Sequence, residues 1–136
     1  MADRLEWQEK YSVGVAVIDE DHRQMIDDLN AFVQAIAVGA TVGPAAGHLY
    51  ELLRHTYYHF RREEALMRET AYSKLAEHIA EHDALYEGLL GFSRDFTSRP
   101  HRDVAEFAGF LATWVLTHVE EQDIPLGEHL QSKGIR

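Results

Sequence analysis

Residues 59–82 read HFRREEALMRETAYSKLAEHIAEH. His59 and Glu63 stand four apart, as do His78 and His82. Four residues turn an α-helix through about 400°, so each pair shares one helix face. Glu64 points about 100° away from Glu63 and is expected in solvent. Ser73, between the pairs, suits a helix N-cap. The stretch therefore predicts two consecutive helices, each presenting a pair of metal-ligating side chains.

Working outward, breakers divide the rest of the chain. A first helix is predicted over 19–38, with Asp19 as N-cap and the glycines at 39 and 43 ending it. Pro44 suits the first turn of a second helix over 44–69, and the third covers 73–96. After a break at 97–100, a fourth covers 103–123. Residues 1–17 form an N-terminal arm carrying Trp7 and the apolar alternation Val13, Val15, Val17. Pro125 sets off a short C-terminal segment.

Each helix carries a seam with alternating three- and four-residue steps, as in a bundle. The first reads Ile18, His22, Met25, Leu29, Phe32, Ile36, and the second Leu49, Leu52, Thr56, His59, Glu63, Leu66. The third reads Leu75, His78, His82, Leu85, Leu89, Phe92, Phe96, and the fourth Val104, Phe107, Leu111, Trp114, His118, Glu121. Short loops favour antiparallel neighbours, which predicts an all-α, up-down-up-down four-helix bundle in a single domain over 1–136.

Composition bounds the chemistry. The chain has 136 residues, 46% hydrophobic and 26% charged, as in globular proteins. It has no cysteine, which excludes a disulfide scaffold, a thiolate metal site and a thiol nucleophile. A net charge of −10 argues against binding nucleic acid or an anionic membrane. The opening MADRLEWQEK is too charged for a secretory leader and no apolar run is long enough to span a bilayer, so the cytoplasm is the expected compartment.

Nine histidines are the anomaly, and five of them fall on the seams. One such histidine alone is most often an ordinary core residue with a hydrogen-bond partner. Five with an acid, buried unpaired, would cost about 1–3 kcal/mol each. A metal satisfies them together. With antiparallel neighbours, His59/Glu63 and His78/His82 reach similar depth, and His22 and His118 converge there. Imidazole with carboxylate suits iron, zinc, copper or manganese, and five imidazoles suggest two ions. The Glu-x-x-His pairs of ferritin-type proteins are absent. His78-Ile79-Ala80-Glu81-His82 matches the H-x-x-E-H pattern of a zinc-protease class, but that reading leaves His22, His59, Glu63 and His118 unused.

His22, His59-x-x-x-Glu63, His78-x-x-x-His82 and His118-x-x-x-x-Asp123 together resemble the ligand pattern of the hemerythrin family, in its single-domain bacterial form. The resemblance runs from about residue 7 to 130. It implies a non-heme di-iron centre, with His78, His82 and His118 on one iron and His22 and His59 on the other. Glu63 and Asp123, with an oxo or hydroxo group, would bridge them. The second iron, one nitrogen poorer, would keep a position for dioxygen, and Met25, Leu29, Phe60, Trp114, Val115 and Val119 would form a dry pocket over it.

Periodicity and resemblance disagree at Asp123. Five α-helical residues turn about 500°, which places Asp123 about 140° off the face of His118, whereas Glu121 lies on the seam. Asp123 requires a wide turn or a helix end, which Pro125 favours, and Glu121 is the alternative ligand. Glu120 is left between solvent and a proton route. Asp21 is expected in solvent, although Asp19 or Asp21 could orient an imidazole. His48, His101 and His129 are expected in solvent, and His55 exposed or packed. Tyr57, Tyr58 and Tyr72 are expected in the core or at its rim.

The implied function is reversible oxygen binding by a carrier, store or buffer, with an oxygen-consuming enzyme as a possible recipient. Sensing of oxygen or nitric oxide and peroxide processing by a di-iron protein are the alternatives, and the chain is not expected to be an enzyme beyond minor peroxidase-like or oxidase activity.

Overall fold

The seams become helices. α1 spans Ala16–Ala37, α2 Val42–Glu69, α3 Leu75–Ser98 and α4 Val104–His118. A π turn, Val119–Asp123, leads without a break into α5, Ile124–Ser132. An arm with a 3₁₀ turn at Glu9–Tyr11 precedes α1. The computed structural model describes residues 5–98 and 104–136, with the side chains of 104–108, 110 and 114 outside the description.

Three apolar clusters are stacked along the bundle. One joins Val13, Val15, Ile18, Met67, Val119, Leu126 and Leu130. The second joins Met25, Leu29, Leu52, Leu53, Leu89 and Leu111, and the third Phe32, Ala45, Ala46, Leu49, Phe92 and Phe96. α1 and α3 traverse these layers in one order, and α2 and α4 in the reverse order. That alternation is the up-down-up-down bundle that the short loops predict. Between the first and second clusters lies one polar layer, made of the seam histidines and acids.

Several predicted boundaries shift. α1 begins at Ala16, so Asp19 is inside its first turn rather than capping it. The Asp19 carboxylate instead accepts hydrogen bonds from the Val13 amide (2.9 Å) and the Ser12 hydroxyl (2.5 Å), which ties the arm to α1. The early start also ends the two-residue alternation. Val13 and Val15 are buried, but Val17 is exposed and Ile18 takes the inward position. α3 starts at Leu75, two residues past Ser73, and runs through Ser98. The break expected after it falls partly on residues 99–103, outside the described ones.

α5 is the element that the expected C-terminal segment did not specify. It packs on the arm, where Gln131 Nε2 donates to the Val13 carbonyl (3.0 Å). His129 is not in solvent: its Nε2 meets Thr70 Oγ1 at 3.0 Å, beside the end of α2. Tyr57 and Tyr58 are exposed on α2, outside the core or rim expected of them, while Tyr72 packs against the Met67 cluster.

Gly127 lets α5 approach the arm, because a Cβ there would overlap the Val13 carbonyl and side chain. Gly127→Ala is expected to cost about 1–3 kcal/mol of stability, read as a lower midpoint in thermal or urea denaturation.

Candidate metal centre

All seven expected ligands meet in the polar layer, and every one is buried. The five histidines turn Nε2 inward, and the two carboxylates lie between them. Glu63 Oε1 is 3.1 Å from His78 Nε2 and 2.9 Å from His82 Nε2. Its other oxygen, Oε2, is 3.1 Å from His59 Nε2. Asp123 repeats the arrangement: Oδ1 is 3.0 Å from His78 Nε2 and 3.1 Å from His118 Nε2, while Oδ2 is 3.1 Å from His22 Nε2. Each carboxylate thus gives one oxygen to each of two lobes.

Donor atoms of Glu63, His78, His82, His118 and Asp123 lie within 4.8 Å of one another, as do those of His22, His59, Glu63 and Asp123. Two donors each about 2.1 Å from an ion and at right angles to it are about 3.0 Å apart. The observed spacings match that figure. Short distance has not produced hydrogen bonding throughout: among the described residues, Nε2 of His22, His59 and His118, Glu63 Oε2 and both Asp123 oxygens have no hydrogen-bond partner. Buried polar atoms are rarely left so, and six converging on two points fit two cations.

Asp123 reaches the layer through the π turn. One extra residue in a turn sets the following residues back by about 100°, so Asp123 faces as an i+4 residue would. Pro125 favours this, because its ring collides with the carbonyl four residues earlier in a regular helix and has no N–H to offer it. Of the two devices that would allow Asp123, the wide turn is the one present, since the helix continues. Glu121, the seam alternative, is exposed, and so is Glu120.

Glu64 departs most from expectation. It is only 1% exposed, and its Oε2 lies 3.0 Å from His82 Nδ1. Asp21 is half-buried rather than solvated, with Oδ2 3.0 Å from His59 Nδ1 and 2.8 Å from Arg62 Nε. Of the two acids near His22, it is Asp21 and not Asp19 that meets an imidazole. His55 pairs with Asp28 at 2.6 Å, away from the layer, and His48 is half-buried, not solvated. His101 lies outside the described residues. No sequence periodicity signals Glu64 or Asp21, because their partners are on other helices.

A cavity of about 50 Å³ adjoins His22, His59, His118 and Asp123, on the side of the two-histidine lobe. Met25, Leu29, Phe60, Val115 and Val119 line it, whereas the Trp114 side chain lies outside the described ones. Sequence reasoning missed Leu5, Trp7 and Tyr11, which bring the arm into its wall, and Leu52 and Thr56 on α2. The aromatic residues of the arm were the available signal.

Burial opposes charge on both central acids, Glu63 and Asp123, but the surrounding imidazoles prevail. His59, with His78 and His82, holds Glu63 well below the usual carboxylate range. Burial and the Glu63 charge raise Asp123, yet His118 and His22 hold it below its ordinary value. Conversely, burial lowers His59 while Glu63 and Asp21 raise it further, to about 10. Burial lowers His78, and Asp123 and Glu63 raise it to about 9.

In metal-stripped protein the raised histidines stabilise the fold fully below their ordinary 6.5, and this is lost as pH climbs through about 9 to 10. The depressed acids stabilise it above their ordinary 4.5 and 3.8, with loss on acidification. Thermal midpoints of stripped protein should therefore fall on both sides of a plateau at roughly pH 5–6.5, with the alkaline decline complete by about pH 10. Metal must displace protons from His59 and His78, so retention against a chelator should strengthen from pH 6 upward. A pH-independent retention would contradict this.

Residues 13–125 match the family described as the hemerythrin HHE cation binding domain. The chain is 29% identical to a bacteriohemerythrin of Stenotrophomonas maltophilia, over 88% of this chain and 76% of that one. It is 25% identical to a hemerythrin of Themiste dyscrita, over 86% of each. A crystal structure of wild-type hemerythrin superposes with a TM-score of 0.85 at 23% identity, over 94% of this chain and 98% of that one, a likeness of fold. With the family match spanning the metal-ligand layer, the chain belongs to the hemerythrin family.

Proposed function

We propose that this protein binds dioxygen reversibly at a non-heme di-iron centre held by His22, His59, Glu63, His78, His82, His118 and Asp123. The observation that carries the reading is the asymmetry of the layer. Three imidazoles face one lobe and two the other, and the cavity adjoins the poorer lobe. Relatives named hemerythrin and bacteriohemerythrin support it. Two irons would supply the redox electrons and an open coordination position for a diatomic ligand.

The chain's own residues do the rest. Glu63 and Asp123, anionic and facing both ways, hold the lobes at a fixed separation and offset cationic charge in a buried site. Met25, Leu29, Phe60, Val115 and Val119 make the approach apolar, which admits a neutral diatomic and disfavours water and ions. The cavity volume exceeds the ~10–15 Å³ needed for one water, so a diatomic ligand fits without repacking. A role as carrier, store or buffer is the reading that the largely apolar lining of the cavity supports. Glu81, the base of the protease reading, is exposed.

Metal analysis should find two irons per chain. Reduced protein should gain a visible charge-transfer band in air and lose it on deoxygenation, over repeated cycles. Zinc in place of iron, or irreversible bleaching on first contact with oxygen, would overturn the proposal.

A further inference from the structure

Two adjacent arginines on α2 each end a short chain of contacts that runs to a ligand imidazole. Arg61 Nη2 lies 3.3 Å from Glu64 Oε1, and Glu64 Oε2 lies 3.0 Å from His82 Nδ1. Arg62 Nε donates to Asp21 Oδ2 at 2.8 Å, and the same oxygen lies 3.0 Å from His59 Nδ1. His82 faces the three-histidine lobe and His59 the two-histidine lobe, so each lobe receives one such chain. Among the described residues, the Nδ1 atoms of His22, His78 and His118 have no hydrogen-bond partner. The two chains are therefore features of particular ligands, not a general consequence of burying histidine.

A carboxylate accepting from Nδ1–H fixes the tautomer that leaves Nε2 free to ligate, and it raises the electron-donating strength of Nε2. An arginine on the far side of the same carboxylate draws on its charge and opposes that effect. The two chains also differ in wetness. The Glu64 side chain is 1% exposed and the Asp21 side chain 22%, so solvent and salt screen the Asp21 chain more.

We infer that Glu64 and Asp21 are positioning residues that tune His82 and His59 separately, one for each metal, and that Arg61 and Arg62 moderate them from the surface. The inference rests on reading the layer as a metal centre. A carboxylate and the arginine behind it act with opposite sign on metal reduction, because a stronger imidazole donor favours the more oxidised ion.

The test measures metal affinity, by chelator competition with iron(II) and with zinc(II), and the reduction midpoint of iron-loaded protein. Glu64→Gln should lose about 10–100-fold in affinity and raise the midpoint. Asp21→Asn should shift both in the same directions by less. Arg61→Ala, a change at a half-exposed side chain that leaves Glu64 in place, should lower the midpoint, and Arg61→Lys should return it toward wild type. Thermal midpoints of stripped protein report whether each variant folds. A role limited to packing would move Glu64→Gln and Arg61→Ala in the same direction, and that result would overturn the inference. Wild-type protein that holds neither metal would overturn the metal-centre reading and this one together. Wild-type protein that holds metal, with all variants unchanged, would overturn this one alone.

Discussion

Two buried carboxylates that each face two ways hold this structure together. Glu63 and Asp123 come from helices far apart in the chain, and between them they approach all five inward imidazoles. Charge of that density survives in a core only when matched, because desolvation otherwise drives the groups neutral. The matching fixes the depth of α1, α2, α3 and the π turn relative to one another. The apolar clusters on either side enclose the layer, but apolar contact alone would tolerate sliding that the donor geometry does not.

Asp123 shows what that constraint asks of the backbone. A regular helix cannot aim both His118 and Asp123 at one layer, so the turn between them is widened by one residue. Pro125 makes the regular alternative costly at that point, and α5 resumes at once to pack on the arm. The close approach of Gly127 to Val13, the Gln131 contact and the Asp19 tie then bring the arm across the bundle, where Leu5, Trp7 and Tyr11 join the cavity wall. A local departure in one turn is thus coupled to the closure of the cavity.

Much of the bundle was legible in the chain. His22, His59, Glu63, His78, His82 and His118 sit on three- and four-residue seams, and seam position is what a helix converts into burial. The misreadings share a cause. Glu64 was assigned to solvent from its angle on α2, yet an angle on one helix does not reveal the neighbour beside it, and α3 brings His82 there. Asp21 met His59 for the same reason. Val17 failed because the change of period from strand-like to helical falls one residue before it.

The sequence by itself determined the periodicities: four seams, a polar layer on them, and an inventory of nitrogen and oxygen donors without sulfur. These are properties of residue spacing and side-chain chemistry, and they hold before any helix meets another. Residue spacing alone did not decide the division of five imidazoles into lobes of three and two, the choice of Asp123 over Glu121, or the cavity on the poorer side; the family resemblance anticipated them, and the tertiary structure supplies their geometry. It alone decided which acids stand behind which ligands. Those outcomes depend on relative depth and rotation of separate helices, set by packing and by the electrostatic demands of the buried layer, which no single helix encodes.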